Sequence, residues 1–321
     1  MEKVYSKGFN GWSQLAILLG LVGGGILIGG LVSIPIWTTM TNGSIVNMAE
    51  DIMKPENATA AQLVQVVSVL FMFFLPAICF AFICYKNGWT FLGFGKTLDS
   101  RLLLIVLLIV ACSIPSIGLL EQVNRAIPLP AGTRARFDAM EKQYNAQVVA
   151  MVQLKSWGQY FVSLLIIAVL PAITEELIFR GTLQNLLSRW TKWPWLSIIF
   201  TSLLFSAIHM SWYGFIARFA LGVILGTIFY YTRNIWLNIM AHFINNALVV
   251  TMLFAVVRSG KPVDMTASDN FPMALGILAL LLLIGLLVWL IKKSPKRMAG
   301  EEDLKVFDRS NPFDERDILR D

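Results

Sequence analysis

The chain has 321 residues, of which 56% are hydrophobic and only 14% are charged, and its formal net charge is +6 at pH 7. Its mean hydropathy of +0.67 lies well above that of ordinary soluble domains. These values exclude a soluble globular protein and predict a polytopic membrane protein. The basic residues are scattered over short loops, so membrane topology accounts for the positive charge better than nucleic-acid binding does.

The apolar stretches predict an all-α fold, a polytopic transmembrane helix bundle of about eight spans. A spanning helix needs about 20 predominantly apolar residues. The candidate stretches are residues 12–37, 61–85, 101–121, 160–179, 196–211, 213–232, 235–257 and 271–291. The fifth is short and contains a histidine, so we expect it to be buried among the other helices, where it lines a cavity.

The basic residues also predict an orientation, since eight spans place both termini on one side of the membrane. The connections on that side carry Lys86, Arg189 and Arg233, and the segment after the last span begins with Lys292 and Lys293. Cytoplasmic loops are enriched in such residues. We therefore predict a multi-pass protein of the cell membrane with both termini in the cytoplasm. The long third connection is basic as well, but long loops follow this rule less closely.

Shifts in composition divide the chain into five segments. They are N-terminal transmembrane helices (1–123), an amphipathic connecting segment (124–156), a helix bundle with the ionisable motifs (157–257), the last transmembrane helix (258–291) and a charged cytoplasmic tail (292–321). In the connecting segment, three- and four-residue spacing of apolar residues predicts an amphipathic helix, either at the membrane interface beside the site or on the rim of the bundle. This apolar stripe consists of Phe137, Met140, Tyr144, Val148 and Met151.

Ionisable residues at membrane depth are the most informative feature of the sequence. A charged side chain there costs about 2.5–3.5 kcal/mol on insertion scales, so such residues are rare and usually functional. The two histidines of the chain, His209 and His242, lie in apolar stretches, as do the adjacent Glu175 and Glu176. Imidazole and carboxylate are common general acids and bases. Their concentration predicts an enzyme whose chemistry takes place within the membrane.

The spacing of the first motif separates its two glutamates. Glu176 and Arg180 are four residues apart and face one another on a helix, with the acid first, as such pairs prefer. Glu175 points to a different face, about 100° away. The sequence therefore predicts an ion pair for Glu176 and leaves Glu175 available for chemistry. The alternative is an ion network that only holds two helices together.

Two further motifs lie on later apolar stretches. His209 follows Phe205 by four residues at the end of the short fifth stretch. His242 and Asn246 are one turn apart and share a helix face, so both side chains can enter one cavity. An imidazole and an amide can donate hydrogen bonds to a developing oxyanion.

The three motifs read EExxxR, FxxxH and HxxxN, in this order and on three separate stretches. The ordered set resembles the CPBP (Abi) family of intramembrane proteases, which are related to the eukaryotic CAAX prenyl endopeptidase and to bacteriocin-processing or immunity proteins. The resemblance covers about residues 157–250, and each defining position is present.

The resemblance implies a role for each motif residue. Glu175 and His209 would activate a water molecule that attacks a peptide carbonyl without a covalent acyl-enzyme. His242 and Asn246 would form the oxyanion hole. Glu176 and Arg180 would support the site by orienting the helix and tuning Glu175. The implied substrate is a membrane-associated protein or peptide in the lipid bilayer.

Other interpretations remain open from the sequence alone. Glu175, His209 and His242 could form a three-ligand zinc site, although the HExxH arrangement is absent. Two other function classes are a non-catalytic immunity or peptide-binding membrane protein of the same fold and a transporter with a proton relay. The complete motifs, and the His–Asn pair on one face, favour the enzyme. Arg218 is expected either to pair with Glu175 or Glu176 or to extend to the membrane interface.

Overall fold

The computed structural model describes residues 6–95, 99–152, 154–260 and 272–293. Regular structure in these ranges is helical, apart from an isolated bridge between Ser6 and Tyr85. Short helices at Ile45–Asn47, Met48–Asp51 and Gly88–Leu92 lie between the long ones. The long helices are α1 (Gly11–Thr41), α2 (Pro55–Cys84), α3 (Ser100–Ala126), α4 (Ala131–Met151), α5 (Trp157–Thr191), α6 (Pro194–Ala207), α7 (Phe215–Thr232), α8 (Ile235–Arg258) and α9 (Met273–Lys293). Most of the predicted tail, 292–321, lies outside the described residues.

Seven of the described helices are long and apolar enough to cross a membrane, and α6 is a shorter apolar helix. The prediction of a polytopic helix bundle is therefore confirmed. Helix α6 has 14 residues, which at 1.5 Å per residue gives about 21 Å against a hydrocarbon core of about 30 Å. The stretch 196–211 extends past the end of this helix, because the chain leaves the helix after Ala207 and turns at Met210, whose φ is 52°.

Helices α6 and α7 form an antiparallel hairpin. Ser202 packs against Gly222, and nearer the turn the hydroxyl of Ser206 donates to the carbonyl of Phe215 at 2.7 Å. Helix α7 returns the chain to the side of the membrane where α6 began. The hairpin therefore crosses the membrane either twice or not at all, and it does not change the side on which the chain continues. If the other six spans cross, both ends of the described chain lie on one side. Which side faces the cytoplasm stays a prediction.

The two largest of four apolar clusters among the described residues form most of the interior, and the outer faces of the spans carry exposed leucines such as Leu27, Leu31 and Leu281. Exposed apolar faces are expected for helices that lipid surrounds. Helix α5 contributes to the first cluster and α8 mainly to the second, so side chains between them lie inside the bundle. Representative members are Leu18, Phe80, Leu177, Phe205 and Phe229 in the first cluster and Ile109, Leu225, Leu237, Ala241 and Leu283 in the second.

The predicted amphipathic helix corresponds to α4, and all five residues of its apolar stripe are half-buried. The first half of α4 packs against the loop between α6 and α7, which we call the His209 loop (residues 208–214). The ring of Phe137 stacks on that of Trp212 with centroids 4.4 Å apart, and the hydroxyl of Ser211 donates to the carboxylate of Glu141 at 2.8 Å. Helix α4 thus covers the loop that carries one of the two histidines.

Candidate active site

Helix α5 carries the two glutamates at a change in helical form. It is α-helical over Leu170–Glu175 and π-helical over Glu176–Gln184, and an earlier π-helical stretch covers Leu164–Val169. Such wide turns are rare and occur frequently at functional sites. Pro171, near the start of the central stretch, has no N–H and cannot donate to the carbonyl four residues earlier. That carbonyl belongs to Ile167, and it accepts a hydrogen bond from another helix.

The carboxylate of Glu176 is fully buried and is held by three donors. Arg180 Nη1 and His242 Nδ1 both contact Oε1, at 2.7 and 2.9 Å. Asn238 Nδ2 donates to Oε2 at 3.1 Å. Buried charges are tolerated when they are paired and their remaining hydrogen-bonding capacity is satisfied. The Glu176–Arg180 pair that the helical spacing predicted is present, and it connects α5 to α8.

Arg180 is also buried, and its guanidinium has several neighbours. Beyond its contact with Glu176, Nη2 donates to the carbonyl of Gly222 on α7 at 3.4 Å. The guanidinium lies 4.6 Å from the centroid of the Phe205 ring, which provides a cation–π contact. Arg180 therefore joins α5, α6 and α7 around one charge.

Glu175 lies beside this pair but has different surroundings. It is 9% exposed, and no hydrogen bond to its carboxylate occurs within the described residues. The imidazole of His242 faces it, with Nε2 3.8 Å from Oε2. An ionised carboxylate can only accept, so His242 carries a proton on Nδ1 for Glu176, and its Nε2 faces Glu175.

His209 is half-buried in the turn that follows α6. Its Nδ1 lies 2.7 Å from the carbonyl oxygen of Phe205. Since a carbonyl can only accept, Nδ1 carries the proton, and Nε2 of the neutral ring is an acceptor. The next residue, Met210, has a φ of 52°, a left-handed conformation that is uncommon for residues other than glycine. The chain turns sharply there, directly after the imidazole.

Phe205 connects the two histidines. Its ring centroid lies 5.0 Å from that of His209 and 5.9 Å from that of His242, both in edge-to-face arrangements. Such geometry is preferred between aromatic rings and fixes their relative orientation. The sequence predicted a core role for Phe205, and the structure adds that one ring packs against both imidazoles and Arg180.

Asn246 lies one turn after His242 on α8 and is half-buried. Its Nδ2 donates to the carbonyl of Ile167 at 3.4 Å, the carbonyl that Pro171 cannot use, and its Oδ1 accepts from Asn245 at 3.2 Å. The described contacts therefore hold Asn246 against α5. The 3.4 Å hydrogen bond to Ile167 is long and weak, so the amide can donate to another acceptor instead.

The structure thus joins Glu175, Glu176, Arg180 and His242 in one group, with His209 linked to it through Phe205 and Asn246 through α5 and α8. These contacts place the predicted residues without testing their roles. The sequence placed Asn238 on the face of His242, but its bond to Glu176 was missed. Helical spacing was the available signal, since Asn238 precedes His242 by four residues.

Two further helices, α3 and α4, hold the His209 loop. Asn124 on α3 is buried, and it donates to the carbonyl of Trp212 at 2.8 Å and accepts from the backbone N–H of Ile216 at 3.2 Å. On α4, Asp138 accepts from the hydroxyl of Tyr213. These residues were not predicted to belong to the site, because they are distant in the chain and carry no motif.

The zinc site that the sequence left open finds no matching geometry. Among the described residues, no group of three His, Cys, Asp or Glu side chains is placed to hold a metal ion. The metalloprotease-like character considered from the sequence is therefore without support, and the reaction proposed below uses no metal.

Comparison with known proteins agrees with the resemblance in the motifs. Residues 157–248 match the family model described as type II CAAX prenyl endopeptidase Rce1-like. The chain is also similar to the uncharacterized protein YpbD of Bacillus subtilis (strain 168), with 32% identity over 103 residues, which cover 30% of this chain and 50% of that protein. The chain thus spans half the length of this relative. No solved structure matches the chain. The family match includes each of the predicted site residues from Glu175 to Asn246, so residues 157–248 are similar to the Rce1-like domain of type II CAAX prenyl endopeptidases.

Proposed function

We propose that the protein is an intramembrane endopeptidase that hydrolyses a peptide bond of a membrane-associated protein or peptide. The observation that carries this proposal is the contrast between the adjacent glutamates. Glu176 is held by three donors, whereas Glu175 receives no hydrogen bond within the described residues and faces an imidazole 3.8 Å away. A carboxylate that is not committed to structural donors can take a proton from water. The Rce1-like domain supports a protease at the level of the family.

In the proposed reaction Glu175 and His209 activate a water molecule. The water gives one proton to the Glu175 carboxylate while its oxygen bonds to the carbonyl carbon of the scissile peptide, whose C=O double bond opens to an oxyanion. Collapse of this intermediate breaks the C–N bond, and the proton on Glu175 passes to the leaving nitrogen. The products are a carboxylic acid and an amine, and no acyl-enzyme forms. His209 would orient the water through Nε2, because its Nδ1 is committed to Phe205.

His242 and Asn246 would stabilise the oxyanion. Because Nδ1 of His242 donates to Glu176, its Nε2 can donate as well only in the imidazolium form. We therefore propose that Glu175 and His242 share one proton in the resting enzyme. With that proton on His242, Glu175 is an ionised base and Nε2–H is a donor. The 3.8 Å gap between them exceeds hydrogen-bond length, so a substrate carbonyl oxygen can take this donor.

Replacing Glu175 with Gln tests the proposal. We expect cleavage to fall by about 10²-fold or more, the usual contribution of general acid–base catalysis. The measurement compares membrane-associated peptides from host cells that carry wild type or Glu175→Gln at matched expression. An uncut protein should accumulate only with the variant, and a new terminus should occur only with wild type.

Glu56→Gln is the matched control, since Glu56 is exposed on the short segment at the start of α2. It should give the wild-type profile. If wild type and Glu175→Gln give the same profile while both are folded, the protease proposal fails. That result would favour the non-catalytic immunity or peptide-binding alternative.

A further inference from the structure

Arg218 is a half-buried cation in the first turn of α7 with no ion pair among the described residues. Its Nη1 atom is buried and has no hydrogen-bond partner. The structure contains neither of the pairings that the sequence suggested, with Glu175 or with Glu176. A buried donor left unpaired costs roughly 1–3 kcal/mol, and more when it is charged. No hydrogen bond in the described fold satisfies this atom, which suggests a partner from outside the chain.

The guanidinium is held in place by neutral groups. It lies 4.8 Å from the ring centroid of Tyr144 on α4. On the other side it rests against Gly214, where a Cβ atom would overlap the guanidinium. Glycine is therefore required at this position for Arg218 to adopt its observed place. The nearest acidic residues of α4 have other donors, because Asp138 accepts from Tyr213 and Glu141 from Ser211.

The position of Arg218 relates it to the proposed reaction centre. On α7 it lies one turn before Gly222, whose carbonyl accepts from Arg180, and it is on the side of the hairpin that ends in the His209 loop. An anion at Nη1 would therefore be bound between the His209 loop and the contact of Arg180 with Gly222.

We propose that Arg218 binds a carboxylate of the peptide substrate and so selects which peptide bond enters the site. This inference rests on the proposed function. It adds the requirement that the substrate carry an anionic group, which the motif residues alone do not require. A guanidinium suits this task because it stays charged and presents N–H groups that match a carboxylate. The carboxylate has two sources, the C-terminus of the peptide or an acidic side chain.

Binding can be measured without cleavage in the Glu175→Gln background. The probes are short, fluorescent, N-palmitoylated peptides in four forms, with a C-terminal acid or amide and with one internal Glu or Gln. The protein is the full chain in nanodiscs of neutral phosphatidylcholine. We expect one carboxylate form to bind about 10- to 100-fold more tightly than its neutral counterpart, as for a buried hydrogen bond to a charged group. Adding Arg218→Gln should abolish that ratio.

Two further variants separate binding from folding. Gly214→Ala keeps the arginine but displaces it, so it should also lower the ratio. Lys142→Gln removes an exposed cation of α4 and should leave the ratio unchanged. If Arg218→Gln removes the preference for the C-terminal acid over the amide, the bound group is the C-terminal carboxylate. If it removes the preference for Glu over Gln, the bound group is an acidic side chain.

The proposal is overturned if Arg218→Gln weakens all four peptides equally, which would mean a structural role. It is also overturned if the ratio is absent in the parent chain, or if the arginine matters only when anionic lipids are added, which would identify a lipid phosphate. Failure of the proposed function is a separate outcome, since the chain with Glu175 intact would then cut none of the four peptides whatever their binding ratios.

Discussion

Two arginines at membrane depth, Arg180 and Arg218, have opposite environments. Arg180 is fully buried and bonds to a carboxylate, a carbonyl and the face of an aromatic ring. Arg218 has the face of Tyr144 beside it, and a buried N–H without a partner. The same contrast separates Glu176, with three donors, from Glu175, with none in the described region. In each pair the satisfied residue connects helices, and we propose that the unsatisfied one contacts the substrate.

The largest difference should occur in stability when each arginine is replaced by leucine. Arg180→Leu leaves Glu176 buried without its cation, and breaking such a pair costs about 3–5 kcal/mol. Arg218→Leu removes an unpaired charge and a cation–π contact, so the change should stay within about 1 kcal/mol. Unfolding of wild type and both variants in the same detergent measures the two changes in the free energy of unfolding. Equal losses of stability would show that the two environments do not differ as described.

An intermediate effect is expected at Phe205, which packs against both histidines. Phe205→Leu should lower the free energy of unfolding by about 1–3 kcal/mol, because a buried ring and its aromatic contacts are lost. Cleavage should fall further than stability explains, since both imidazoles lose their orienting neighbour. Phe200→Leu is the matched control on the same helix, at a ring that is 52% exposed. If both variants cleave equally well, Phe205 does not position the histidines.

The smallest loss of stability is expected from a change in the contact between α4 and the His209 loop. Tyr213→Phe removes the hydroxyl that donates to Asp138 and should cost about 0.5–1.5 kcal/mol, as a partly exposed hydrogen bond does. Hydrogen exchange of residues 208–214 should increase while exchange in α8 stays unchanged. An unchanged loop would mean that Asn124 and the Phe137–Trp212 stack are sufficient to hold it.

Much of the fold could be predicted because the apolar stretches are long and the helical spacing is regular. The bundle, the amphipathic helix at α4 and the Glu176–Arg180 pair all follow from spacing on a helix. The length of α6 could not be predicted, since neither proline nor glycine marks the point where the helix ends after Ala207. The π-helical turns of α5 also escape prediction, because they depend on how Pro171 and the neighbouring helices share backbone hydrogen bonds.

The site itself was only partly accessible from sequence. The motifs identify the ionisable residues, but a tautomer depends on which group faces each ring nitrogen. The bond from His242 Nδ1 to Glu176 and the unpaired Nη1 of Arg218 arise from contacts between helices far apart in the chain. The spacing of residues within one helix does not predict these contacts between helices.

The most direct test compares Glu175→Gln with Glu176→Gln, two identical changes at adjacent residues, with cleavage and stability measured on the same preparations. The account predicts that Glu175→Gln keeps nearly wild-type stability and loses cleavage. Glu176→Gln should lose several kcal/mol of stability, since Arg180 is then buried without its carboxylate. If Glu175→Gln still cleaves, or if Glu176→Gln is as stable as wild type, the division between a catalytic and a structural glutamate is wrong.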